Sequence, residues 1–246
     1  MKILLAGETW TSLTQHAKGV DTFVSVAQGN GHAAFVRALS TVGEVTHLPG
    51  ERVPLEFPQR MSELAQFDAV VLSDIGADSL LLHPDTFERG RRTPNRLRLL
   101  QEYVRAGHGF LMCGGYLSFQ GWHGRARYHG TPVEELLPVR LEAGDDREEI
   151  PEGVRARVVA EHPVTAGLPT HWPYLLGLNR LQPKEGATVL ATAGAHPLLV
   201  AGTYGRGRTL AWASDIGPHW CPQGFVAFTG YARLWQQALV WLAELR

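Results

Sequence analysis

The chain has 246 residues, 44% of them hydrophobic and 19% charged, with a formal net charge of −1. Such a chain can bury a sizeable core, which excludes wholesale disorder. Its near-zero charge gives no electrostatic argument for nucleic acid or an anionic membrane surface as partner. Arg89, Arg91 and Arg92 form a short basic cluster that reads as a solvated loop face.

Two cysteines, Cys113 and Cys221, are too few for a disulfide framework. The opening MKILLAGETW lacks the longer apolar region of a signal peptide, and no stretch approaches the ~20 apolar residues of a membrane span. A single domain in the cytoplasm, with reduced thiols, is expected.

Residues 2–6 are a short apolar run ending at Gly7, which predicts a buried parallel strand. Residues 31–43 carry Ala33, Ala34, Val36, Ala38, Leu39 and Val42 at helical spacing, closed by Gly43. Residues 44–48 predict a second strand stopped by Pro49 and Gly50, 61–67 a short helix, and 68–73 a third, buried strand. Residues 95–106 read as an amphipathic helix with Leu97, Leu100 and Val104 inward, arginines outward and Gly107 as its stop. Residues 110–113 are then a fourth strand ending on Cys113.

Strands alternating with helices in this way predict an α/β fold with a mainly parallel sheet covered on both faces. Ligands in such sheets bind beyond the carboxyl ends of the strands, where this chain has GETWTS, SDIGAD and CGGYLSFQG. The second half is richer in strands, with 154–160, 188–193, 197–203 and 208–213 extended and a hairpin turn at Gly205–Gly207. The acidic stretch 142–153 reads as an exposed connection, and 225–245 as a closing helix.

Cys113 ends a strand and is followed by Gly114 and Gly115, the arrangement that lifts a nucleophile above a sheet. A helix starting there would favour the thiolate, with Gly114 offering one amide to an oxyanion and Ile75 or Gly76 a second. The alternative is that Cys113 is a small apolar residue in the core. His219 follows the last parallel strand and could act as base, oriented by Asp215; alternatively Asp215 closes its own turn and His219 fills a polar gap.

Trp10, Thr11, Ser12, His16 and Lys18 fall in a long polar loop after the first strand, able to close over a ligand or to form an interaction surface. Asp74 and Asp78 flank Gly76 as helix-capping carboxylates, and no zinc-type spacing is present, so neither a metal nor a cofactor is expected.

The segments LLAGETWTS, VVLSDIGAD, LLHPDTF, TPNRLRLLQEYV, GGYLSFQG, ARYHGTPVEELLPV and LAWASDIGPHW resemble the cytoplasmic branch of the class I glutamine amidotransferase-like superfamily from Lys2 to Leu242. The resemblance implies a flavodoxin-like three-layer sandwich, with extra strands in the C-terminal half and thiol-dependent amide hydrolysis at Cys113. Glutamine is then the substrate, and a synthetase or acceptor partner takes the ammonia.

The family's G-x-C-x-G elbow is matched at Cys113 and Gly115, with Leu111 at the first glycine. Its late H-P-E segment is matched at His219 alone, and Leu117 stands where a glutamine-clasping residue is expected. The second reading is a non-catalytic member in which Trp10, Asp74, Tyr116 and His219 shape a pocket for a small polar, sugar-like ligand or a protein partner. A third is a resemblance to trehalose-utilisation-like proteins. Self-association is left open.

Overall fold

The computed structural model describes residues 1–244. In chain order its strands are β1 (Lys2–Gly7), β2 (Thr9–Lys18), β3 (Asp21–Asn30), β4 (Glu44–Leu48), β5 (Ala69–Ser73) and β6 (Gly109–Cys113). They continue with β7 (Val139–Arg140), β8 (Arg147–Val158), β9 (His171–Asn179), β10 (Gln182–Pro183), β11 (Thr188–Ala193), β12 (His196–Tyr204) and β13 (Gly207–Trp212).

Nine of them form one sheet in the order β4-β1-β5-β6-β13-β12-β11-β8-β9. From β4 to β13 the neighbours are parallel, and from β13 to β9 they are antiparallel. Strands β5 and β6 are buried along their whole length, as continuous apolar runs in a two-sided sheet must be.

Helices cover both faces. Ala33–Leu39 packs on Tyr231–Ala243, which lies over β5, β6 and β13. The other group is built around Arg96–Arg105, against Ala77–Leu81 and Pro132–Leu136. The Asn95 side chain caps Arg96–Arg105 by accepting the Leu97 and Arg98 N–H groups. This is the flavodoxin-like α/β sandwich.

Several local expectations are corrected. The long polar loop is a hairpin, β2–β3, paired in register from Thr9↔Asn30 to Lys18↔Asp21. The acidic connection is partly strand, because β8 begins at Arg147 and pairs with β9. The closing helix is two pieces, Gln223–Val226 and Tyr231–Ala243.

Arg96 does not point outward. It is buried, with its guanidinium donating to the carbonyls of Leu80 (2.6 Å) and Val53 (3.2 Å). Burial pushes its pKa down to about 10, and the carbonyl contacts tie the short helices to one another.

Candidate functional site

No helix begins at Gly114. Gly114 N–H donates to the Trp212 carbonyl (2.8 Å), which extends the β6–β13 ladder one residue past Cys113. Gly115 N–H donates to Asn179 Oδ1 (3.0 Å). The Gly114 amide expected to face an oxyanion is therefore already engaged, as is that of Gly115. Ile75 is buried, with its carbonyl accepting the Tyr128 hydroxyl at 2.7 Å, and Gly76 sits against Ala126.

Cys113 is fully buried, and its thiol lies among Ser73, Glu8 and Asp215 rather than against His219. Burial, and then the Glu8 charge, push the thiol well above its ordinary pKa. A helix N-terminus would have pulled it the other way. Cys221 is also buried, its thiol raised chiefly by desolvation.

The sharp turns lie at the neighbouring strand ends. Glu8, just past β1, has φ 58°, and Asp74, just past β5, has φ 44°. Left-handed backbone is uncommon outside glycine, and its cost persists where the surroundings over-determine it. Here it turns two carboxyl groups upward into one cavity, where Asp215, three residues past β13, joins them.

The cavity holds about 770 Å³, the size of a small-molecule site. Trp10, Asp74, Tyr116, Asp215 and His219 line it; Ile75, Cys113, Gly114 and Gly115 do not.

Glu8 Oε1 accepts the Ser73 hydroxyl at 2.5 Å. Asp74 Oδ1 accepts the Leu117 N–H at 2.7 Å, and the Asp74 N–H donates to Ser118 Oγ at 3.0 Å. Asp215 Oδ2 accepts the Trp220 N–H at 3.0 Å and lies 3.1 Å from His219 Nδ1.

Gly115 separates two of these acids. With φ 139°, a Cβ there would lie 2.7 Å from Asp74 Oδ1 and 2.9 Å from Asp215 Oδ1. Gly31 plays the same part for Glu8, since a Cβ would meet Glu8 Oε2 at 2.3 Å.

Burial raises the pKa of all three carboxyl groups, and their mutual repulsion adds to it: Asp215 and Asp74 act on Glu8, and Asp215 acts on Asp74. Asp74 is pushed up to about 6. For His219, burial opposes the imidazolium, but the hydrogen bond and charge of Asp215 outweigh it and the pKa rises. The floor is thus a set of carboxyl groups whose neutral form is favoured, with a histidine at the rim whose charged form is favoured.

The walls are aromatic. The Tyr116 ring meets Trp122, His219 and Trp220 edge-on at 4.9, 4.5 and 5.4 Å. The Arg147 guanidinium lies 3.9 Å over Trp122 and 5.0 Å from Tyr116, held by Asp145 at 2.8 Å and Glu149 at 3.4 Å. On the opposite side Trp10 lies flat on Gly29, at the foot of the β2–β3 hairpin.

Glu8, Trp122 and Arg147 were not anticipated from the sequence. Glu8 could have been, since it follows Gly7 at a strand end. Arg147 sits in a charged stretch without a pattern to single it out.

Another depression, of about 810 Å³, lies beside β4. Its charged groups pair with each other, Arg52 with Glu56 and Arg60 with Glu63. Among the described residues no cluster of three or more His, Cys, Asp or Glu is placed to hold a metal ion, and no helix is long and apolar enough to cross a membrane.

Residues 2–244 match the family described as "putative glutamine amidotransferase". Two cytoplasmic proteins of Salmonella typhimurium share the fold along the whole chain. STM3548 is 38% identical with a TM-score of 0.95, and the match covers 98% of this chain and 99% of that one. STM1381 is 40% identical with a TM-score of 0.95 and the same coverage, 98% and 99%. A thua-like protein from Parabacteroides merdae, 18% identical with a TM-score of 0.55 over 99% of this chain and 90% of that one, shares the fold alone. No curated protein matches. The chain belongs to the glutamine amidotransferase-like family.

Proposed function

We propose that this chain binds a small, uncharged, hydroxyl-rich ligand in the strand-end cavity, and that Cys113 serves packing rather than thiol catalysis. One observation carries the reading: the buried carboxyl groups of Glu8 and Asp215 and the half-buried one of Asp74 converge with Trp10, Tyr116 and Trp122 on one cavity.

A carboxyl group that keeps its proton both donates and accepts, which matches a hydroxyl. Aromatic walls cover the C–H faces of a sugar or polyol ring. The buried Cys113 thiol and the engaged amides of Gly114 and Gly115 speak against amide hydrolysis at this position. By analogy with the Salmonella relatives, the chain works in the cytoplasm.

The test is titration of the purified chain with trehalose, glucose, inositol and glutamine, followed by tryptophan fluorescence, with an ammonia-release assay in parallel. Saturable quenching by a sugar or polyol that Asp74→Ala abolishes is the expected result. Ammonia release from glutamine that Cys113→Ser abolishes would overturn the reading and restore the thiol hydrolase.

A further inference from the structure

The hairpin of β2 and β3 is the part of the molecule that its own fold leaves uncovered. Two ten-residue strands at about 3.3 Å per residue make a ribbon about 33 Å long. Its hydrogen bonds to the body lie at the foot, where Thr9 Oγ1 accepts the Gly50 N–H (2.7 Å) and donates to Glu51 (2.9 Å). From Trp10 to Gln28 every residue is exposed except the half-buried His16.

The register sorts its side chains. Leu13↔Val26 and Gln15↔Val24 share one face, flanked by Thr11↔Gln28 and Ala17↔Thr22. On that face Leu13 is 71%, Val24 59% and Val26 63% exposed. Phe23 stacks on His16 at 4.5 Å on the other face and is itself 51% exposed. A lone two-stranded ribbon is marginal in water, and an exposed, apolar, flat edge is an invitation to pair.

We propose that this arm is the self-association element of the protein and that its occupant is a second copy of the same chain. Charge decides against several other partners. The formal charges of the arm are Lys18 and Asp21, opposed at its tip, and they cancel. Nucleic acid and anionic surfaces therefore gain nothing. Insertion into lipid would bury the unpaired strand edges with no hydrogen-bond partners. A second arm offers the same apolar face and the same edges, which a two-fold axis makes self-complementary.

Size settles how the arm is held. One face carries ten residues in register, short of the roughly 20–30 a side that a stable interface uses, whereas the whole ribbon, residues 9–30, reaches that range. Both faces of the arm are therefore covered by the second copy.

The test is sedimentation velocity of the full chain across micromolar concentrations, with hydrogen exchange of arm amides as a readout that needs no variant. The expected result is a species of twice the 27.1 kDa chain mass, with slow arm exchange that becomes fast on dilution. Leu13→Glu with Val26→Glu weakens association at least about a hundredfold, since each change is felt twice in the dimer. A wild-type monomer throughout the range overturns the proposal. So does an assembly indifferent to the double variant, or an arm protected only when lipid vesicles are added.

Discussion

Asp74→Asn is expected to stabilise the protein at alkaline pH and to do little in acid. The Asp74 carboxyl titrates at about 6 in the folded chain, against an ordinary 3.8, because it is buried and faces Asp215. The folded state holds the proton more tightly than the unfolded one. Stability is therefore complete below about 3.8 and declines as pH rises through about 6.

The gap between those two values corresponds to about 3 kcal/mol once both states are ionised. Asparagine keeps the Oδ1 acceptor used by the Leu117 N–H and removes the charge. Its advantage over the wild type should grow from under about 1 kcal/mol at pH 4 to about 3 kcal/mol at pH 8. In thermal melts that is about 6–12 °C at pH 8 for a chain of this size. Urea denaturation of both proteins at the two pH values measures it. An asparagine variant no more stable than wild type at pH 8, or a difference that does not change with pH, would refute the reasoning.

Three further outcomes follow from the same geometry. Cys113 should resist iodoacetamide in the native state at pH 8 and react only on unfolding, and Cys113→Ala should leave ligand titrations unchanged; native labelling at a rate typical of a free thiol would contradict both. Gly115→Ala should destabilise by roughly 1–3 kcal/mol and abolish ligand binding, because its Cβ would press on Asp74 Oδ1 and Asp215 Oδ1; calorimetry with the ligand titration reads both. Arg147→Met should loosen the Trp122–Tyr116 wall, weakening ligand affinity about 3- to 30-fold and shifting the tryptophan emission, with overall stability largely kept.

The parallel half of the fold was legible because β1, β5 and β6 are buried on both faces and so read as apolar runs. Helix Arg96–Arg105 was legible from its stripe and from Asn95 and Gly107 at its ends. The arm was hidden for the opposite reason: both its faces are exposed, so no alternation of apolar and polar residues marks the strands. Its remaining signal is Thr and Trp residues before Gly19 and Val, Thr and Phe residues after it. Residues 147–153 read as a loop because Arg147, Glu148 and Glu149 are charged, yet β8 lies beside β9 near the sheet edge, where charged side chains are tolerated.

The position of the cavity was likewise legible from the strand ends, and Glu8 on its floor was not, because a sequence does not say at which strand end the backbone turns. A nucleophile elbow needs the break to fall on the nucleophile itself. Here the Gly114 N–H continues the ladder to Trp212 and keeps β6 straight through Cys113, while the left-handed residues are Glu8 and Asp74 on the two strands beyond. The same glycine pair that suggests an exposed thiol serves two other ends. Gly114 lets β6 approach Ala213, where a Cβ would come 2.6 Å from the carbonyl oxygen, and Gly115 makes room for two carboxyl groups. Thiol chemistry at Cys113 would therefore require the β6–β13 ladder to open at Gly114 and the acids to give up the space above it.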